Sequence, residues 1–258
     1  MAPAADDVEL CGDDELDYLA NRTPFEQGQG LLLDEAYRLA HLPLVAPGHP
    51  KVIKQRDGKH YDNGHHPAVT SLVLPVPGDA LHQALTSTGL DSELKQSPLA
   101  HKIAWHILPQ RRQRLHASLA GSRVSGVSLS EIGAAERMEL AQVGRLTVEL
   151  RGLFSGNINL GRLYLRAFPE KRDGLNTFHR IQDIMGCHRT NLYVVGLYNL
   201  LDDLDSEEAA VLAGLIDRWW NKPLLRFQAD ALWLLSASDD LVLESAVADK
   251  IPLCRVVC

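Results

Sequence analysis

Arg114-Leu-His-Ala-Ser-Leu-Ala120 is the stretch whose reading decides the fold. Read as a strand, it puts His116 and Ser118 on one face and Leu115, Ala117 and Leu119 on the other, because side chains alternate with period two. An imidazole and a hydroxyl then point into one space while three aliphatic side chains face a core. An isolated His-x-Ser is common, and alone it reads as the polar face of a half-buried strand. Here it follows Ile103-Ala-Trp-His-Ile-Leu-Pro109 closely enough to predict a hairpin, and Asn191 to Asn199 recurs later in a comparable setting.

The chain around it has 258 residues, 45% hydrophobic and 23% charged, enough for one large domain or two lobes sharing an interface. A formal net charge of −7 disfavours long nucleic acid as a partner, since that binding rests on a basic surface, but leaves room for a nucleotide in one local basic pocket. The sequence has no apolar run of about 18 residues that would span a membrane. The acidic start Met-Ala-Pro-Ala-Ala-Asp-Asp-Val-Glu lacks the apolar core of a secretory signal, so a cytoplasmic location is expected. Cys11, Cys187, Cys254 and Cys258 form no C-x-x-C pair, which argues against structural zinc; disulfides are unexpected in a reducing compartment, Cys254 and Cys258 being a pair that could form on oxidation.

Residues 1–57 read as an acidic, loosely held leader followed by a short helix within Leu31–Ala40, and residues 58–258 as the main domain. Val69–Val76 is strand-like, Gly78–Gly89 and Leu90–Leu99 are helical, and Ile103–Leu108 and Leu115–Gly121 are strands. A helix entered at Ser128 or Ser130 runs to about Val143. The pattern then restarts. Leu146–Phe154 and Gly161–Phe168 alternate as an antiparallel pair, Asp173–Met185 is helical and Leu192–Leu200 is a strand. Ser206–Trp220 is an amphipathic helix, with Phe227–Leu235 and Leu241–Ser245 as the last strands. Two similar halves predict an α+β fold: pseudo-symmetric lobes of antiparallel sheet flanked by helices, with a cleft between them.

In order and spacing, Leu108-Pro, Leu115-His-Ala-Ser-Leu119, Val148-Glu-Leu-Arg-Gly-Leu-Phe154, Gly161-Arg-Leu-Tyr-Leu165 and the strand entering Leu201-Asp-Asp-Leu-Asp-Ser-Glu-Glu208 resemble the 2H phosphoesterase superfamily. That superfamily includes cyclic phosphodiesterases and bacterial proteins once called 2′-5′ RNA ligases, and Lys59–Pro75 resembles an uncharacterised bacterial branch of it. The resemblance spans roughly residues 58–245. It implies one His-x-Ser/Thr motif on the central strand of each lobe. One neutral imidazole takes a proton from water, the other gives one to the leaving oxygen, and the hydroxyls hold the phosphoryl oxygens, with no metal or other cofactor. His116 and Ser118 would be the first pair.

The second motif departs from the pattern. Matching by neighbours sets Tyr193 opposite His116 and Val195 opposite Ser118, and neither side chain can do that work: an unperturbed phenol titrates at about 10, and valine donates nothing. A literal His-x-Thr, His188-Arg-Thr190, lies a few residues earlier at the strand's edge. Three readings follow. His116, Ser118, His188 and Thr190 form a metal-independent phosphodiesterase for a cyclic or 2′-5′ linked nucleotide; or the cleft only binds a phosphorylated ligand, through His116 and Ser118 with Arg162 or Tyr193; or Tyr193 donates a proton in a different reaction on the same scaffold.

His60, Asp62, His65 and His66 are metal-ligand types gathered in one loop, but Asn63-Gly64 is a hairpin signal and favours a polar turn. Asp202, Asp203, Asp205, Glu207 and Glu208 sit where a helix begins, where its dipole favours carboxylates. Arg111, Arg112 and Arg114 read as a solvated turn.

Overall fold

The computed structural model describes residues 8–121, 129, 131–157 and 159–253. Its main strands are β1 (His65–Pro75), β2 (His116–Ala120), β3 (Leu146–Ser155), β4 (Arg162–Pro169), a two-residue pair β5 (Lys171–Arg172) and β6 (Leu175–Asn176), β7 (Val194–Asn199), β8 (Pro223–Ala229), β9 (Ala231–Asp239) and β10 (Ser245–Pro252). Apart from the small β5–β6 pair they form one antiparallel sheet in the order β10-β9-β1-β2-β7-β4-β3-β8.

The order reads as two four-stranded halves placed edge to edge. Within a half the ladders are long: β3 and β4 stay paired from Val148 opposite Pro169 to Ser155 opposite Leu163. Where β2 meets β7, the ladder is registered at one pair, Ala117 opposite Val195. This α+β arrangement of two lobes with a cleft along their seam is the one expected from the repeated strand and helix pattern.

Helices cover the sheet. They are α1 (Glu35–Ala40), α2 (Leu42–Val45), α3 (Gly78–Thr88), α4 (Leu90–Gln96), α5 (Leu108–Arg111), α6 (Ala134–Val143), α7 (Thr177–Ile184) and α8 (Ser206–Trp219). Asp205 caps α8 by accepting from the Glu207 and Glu208 N–H groups at 2.9 Å, so the acidic run there does satisfy a helix start. Leu212, Leu215, Ile216 and Trp219 of α8 are buried, and the helix packs on β3. The contact is close at Gly152, a bulge residue with φ of 39°, where any Cβ would strike the Trp219 and Trp220 carbonyls.

Several elements differ from the sequence reading. Residues 103–108 do not form a strand: Trp105–Ile107 is a tight helical turn running into α5, with Pro109 at its first turn, and β2 pairs with β1 and β7 instead of forming a hairpin. The run 227–235 is cut at Asp230 into β8 and β9, which lie at opposite regions of the sheet. Residues 241–244 are a loop, organised by Asp239, whose carboxylate accepts from the N–H groups of Leu241, Leu243 and Glu244 at 2.8, 3.1 and 2.7 Å. α6 begins after Gly133, whose N–H donates to Glu136 Oε2; Ser128 and Ser130, like Cys254 and Cys258, lie outside the described residues.

The segment read as a loose leader is packed from residue 8 onward. Cys11, Leu16, Tyr18, Leu31, Leu33 and Tyr37 are buried, and the Tyr18 hydroxyl reaches the Ala167 and Tyr193 carbonyls at 2.7 and 2.9 Å. A large apolar face supplied by residues 10–45 compensates for its acidic composition. The Asn63-Gly64 turn forms as its chemistry predicts, with φ of 49° and 82° and Asp62 bridged to His65.

Candidate functional site

The seam opens into a cavity of about 310 Å³ whose walls come from both lobes. β2 contributes His116 and Ser118, while the alternate residues Ala117 and Leu119 are buried in the core. β4 contributes Arg162 and Tyr164, and β7 contributes Val194 and Gly196. His66 from β1 and Asp239 and Asp240 from the end of β9 close the opposite side.

His116 is held in one tautomer. Its Nδ1 lies 2.8 Å from the Arg114 carbonyl, so that nitrogen carries the proton and Nε2 keeps a lone pair. Its pKa is pushed down to about 4, first by burial, which disfavours the charged ring, and then by the Arg162 and Arg111 charges; the bond to Arg114 opposes this. A neutral imidazole with a bare nitrogen is a proton acceptor.

Arg111 is fully buried beneath the floor, not solvated in a turn. It donates from Nε to Leu241 O at 2.8 Å, from Nη1 to Leu197 O at 2.9 Å and from Nη2 to Gly196 O at 2.8 Å, tying β7 to the loop after β9. Burial first, and then repulsion from Arg162, lowers its pKa to about 9, still charged at neutral pH.

Arg162 is the cation that faces the cavity. Its guanidinium lies on Gly196, in the volume a side chain there would need, and 5.4 Å from the Tyr164 ring centre. Its Nε has no hydrogen-bond partner, and among the described residues no carboxylate forms an ion pair with it. Arg162 thus places a cation in the wall of the cavity with its buried Nε unsatisfied.

The second central strand carries no counterpart of His116. With Ala117 opposite Val195, the local two-fold that relates antiparallel strands carries His116 to Val194 and Ser118 to Gly196. The match of Tyr193 with His116 and Val195 with Ser118 is therefore one residue out of register; a slip of one moves every side chain to the other face. Tyr193 is buried on the far side of the sheet, its hydroxyl donating to Thr190 O and its ring edge-on to Phe178 at 4.8 Å. His188 and Thr190 do not line the cavity. Both are exposed, and Thr190 is held against α7, its Oγ1 accepting from Gln182 Nε2 at 2.9 Å and its N–H donating to Gln182 Oε1 at 3.1 Å. The structure thus brings together His116, Ser118 and Arg162, and leaves His188, Thr190 and Tyr193 elsewhere.

Residues the sequence did not single out as a set complete the polar wall. Tyr61 donates to Asp240 Oδ2 at 2.8 Å, and His66 Nε2 lies 3.4 Å from Asp240 Oδ1. Behind them His41 is fully buried with both ring nitrogens unpartnered, its Nε2 3.9 Å from Asp240 Oδ2. Burial, then Arg162 and Arg111, holds its pKa well below the usual histidine value. Among the described residues no three His, Cys, Asp or Glu side chains gather as a metal-ligand set, and His60 is exposed.

No family model matches the chain, and no curated protein matches it. Among solved structures, TT0787 of Thermus thermophilus is similar at 10% identity, over 72% of this chain and 97% of that one, with a TM-score of 0.37. A likeness at that level bears on neither ligand nor reaction.

Proposed function

We propose that the cleft binds a small phosphorylated ligand, of nucleotide size, with its phosphoryl group on Arg162 and within reach of His116 and Ser118. The observation that carries this is the guanidinium of Arg162, laid over a glycine, in the wall of the cavity and, among the described residues, without a carboxylate partner. A phosphoryl group offers planar, charged acceptors that match a guanidinium fork. The resemblance to the 2H phosphoesterases points to the same ligand chemistry. The pairing of His116 with His188 is not part of this proposal, since His188 is outside the cavity.

Titration calorimetry with sulfate, inorganic phosphate and 2′- and 3′-nucleotides tests it. Wild-type protein should bind them, Arg162→Met should lose at least tenfold in affinity, and Ser118→Ala should lose roughly 1.5–3 kcal/mol, one charge-assisted hydrogen bond. Equal binding by wild type and Arg162→Met would remove the proposal.

A further inference from the structure

The sheet carries a second cavity on its opposite face. Gly196 lines the seam cleft, and its neighbour Leu197 lines a pocket of about 180 Å³ bounded by α3, α4, α5 and the turn at Trp105. We propose that this pocket binds a small organic amine, its apolar body seated among leucines and its ammonium on the carboxylate of Asp91. The two cavities share no lining residue, and neither reading rests on the other.

The walls set the size and character of the body. Leu81, Leu85, Leu115 and Leu197 are buried and form the inner wall, while Trp105 is half-buried at the mouth. An apolar cavity of roughly 150 Å³ takes up one benzene ring, so this space suits a ring with a short arm.

Among these apolar walls stands one acid. Asp91 lines the pocket and is 7% exposed. Its Oδ1 accepts from the hydroxyl of Tyr198, which is itself wholly buried. Among the described residues Oδ2 accepts no hydrogen bond, and no cation pairs with the carboxylate. The cations on and around α4 are engaged elsewhere. Arg112 pairs with Asp79 at 3.8 Å, Arg218 pairs with Glu93, and the Lys95 ammonium lies over the Trp105 ring, 5.2 Å from its centre. The first turn of α4 favours a carboxylate at this position, which accounts for an acid there but not for one facing a cavity.

The sign of the ligand follows from which charge is buried. Lys95 and Arg112 at the rim would suit an anion, yet Lys95 is exposed to water, which screens it, and Arg112 already has an acid. The charge taken out of water is that of Asp91, and an ammonium brought to it makes a charge-assisted hydrogen bond. An indole face also attracts a cation, and the Lys95 ammonium shows that the Trp105 ring takes one.

Calorimetry on the full-length chain tests this with probes of similar body and different head: 2-phenylethylamine, 2-phenylethanol and 3-phenylpropionate. The amine should bind, about tenfold or more tightly than the alcohol or the carboxylate. Asp91→Asn keeps an oxygen for the Tyr198 hydroxyl and removes the charge. It should lose about tenfold or more in affinity for the amine and leave the alcohol unchanged. Leu108→Trp, a bulkier side chain at the half-buried mouth, should close the pocket to all of the probes and decides the location if Asp91→Asn fails to fold. Equal or tighter binding of 3-phenylpropionate would assign the pocket to its rim cations and overturn the proposal. So would wild-type affinity for the amine in Asp91→Asn or in Leu108→Trp, or a wild-type protein that takes up no amine at millimolar concentration.

Discussion

His116 ties the chemistry of the cleft to a measurable titration. In the free protein its ring should titrate near 4, well below an unperturbed histidine, because burial and the two guanidinium groups all disfavour the charge. An anion seated on Arg162 offsets those charges and favours the imidazolium. The sign follows from linkage: an anion that raises this pKa must bind more tightly as pH falls. NMR titration of the His116 side chain should show its midpoint rising on addition of sulfate, and sulfate affinity should increase between pH 7 and 5. An unchanged midpoint would place the anion away from His116. Arg111 belongs to the same scale but to stability. Replacing it by Met leaves the Leu197, Gly196 and Leu241 carbonyls without donors and should cost about 3–5 kcal/mol in denaturant unfolding.

At the scale of elements, the cleft is decided by which face of β7 it sees. Tyr193, Val195 and Leu197 are all buried away from the cavity, and Val194 and Gly196 face it. Gly196→Ala would put a methyl group into the volume of the Arg162 guanidinium, a flexible side chain that can move. The expected outcome is a small change in stability with a tenfold or greater loss of sulfate affinity, separable by thermal melting and calorimetry. The exchange that restores a histidine and a hydroxyl to this strand is Val194→His with Gly196→Ser; Tyr193→His with Val195→Thr would bury both groups on the far side and should unfold the protein.

The alternation of β3 and β4, the Asn63-Gly64 turn and the α8 cap were legible in the sequence because each is a local rule. His116-Ala-Ser118 was legible for the same reason, a strand with one apolar face. The β7 register was not, since Leu192-Tyr-Val-Val-Gly-Leu-Tyr198 is apolar or aromatic on both faces and only the pairing with Ala117 settles its phase. The partnership of His66 with Asp240, 174 positions apart along the chain, carries no local signal at all.

At the scale of the whole molecule, the segment 8–57 contributes buried residues to the core. Tyr18 and Tyr37 are each wholly buried, and their hydroxyls bond to carbonyls of Ala167, Tyr193 and Leu200. A chain beginning at residue 58 should therefore lose cooperative unfolding and expose apolar surface to a dye such as ANS. Tyr18→Phe, which keeps the ring and removes the hydroxyl whose one proton is shared between two carbonyls, should cost about 1–3 kcal/mol and leave the fold intact.

The strand order has a consequence for how the protein is made. The half built from β3, β4, β7 and β8 lies within residues 146–229, so its strands leave the ribosome as one continuous stretch. The other half must hold β1 and β2, already synthesised by residue 120, until β9 and β10 emerge after residue 230. Between those moments β1 has one free edge, the edge that β9 will occupy, and a free edge is a template for wrong partners. Vectorial synthesis thus favours the half within residues 146–229 folding first, with the half that carries His116 and His66 completed last.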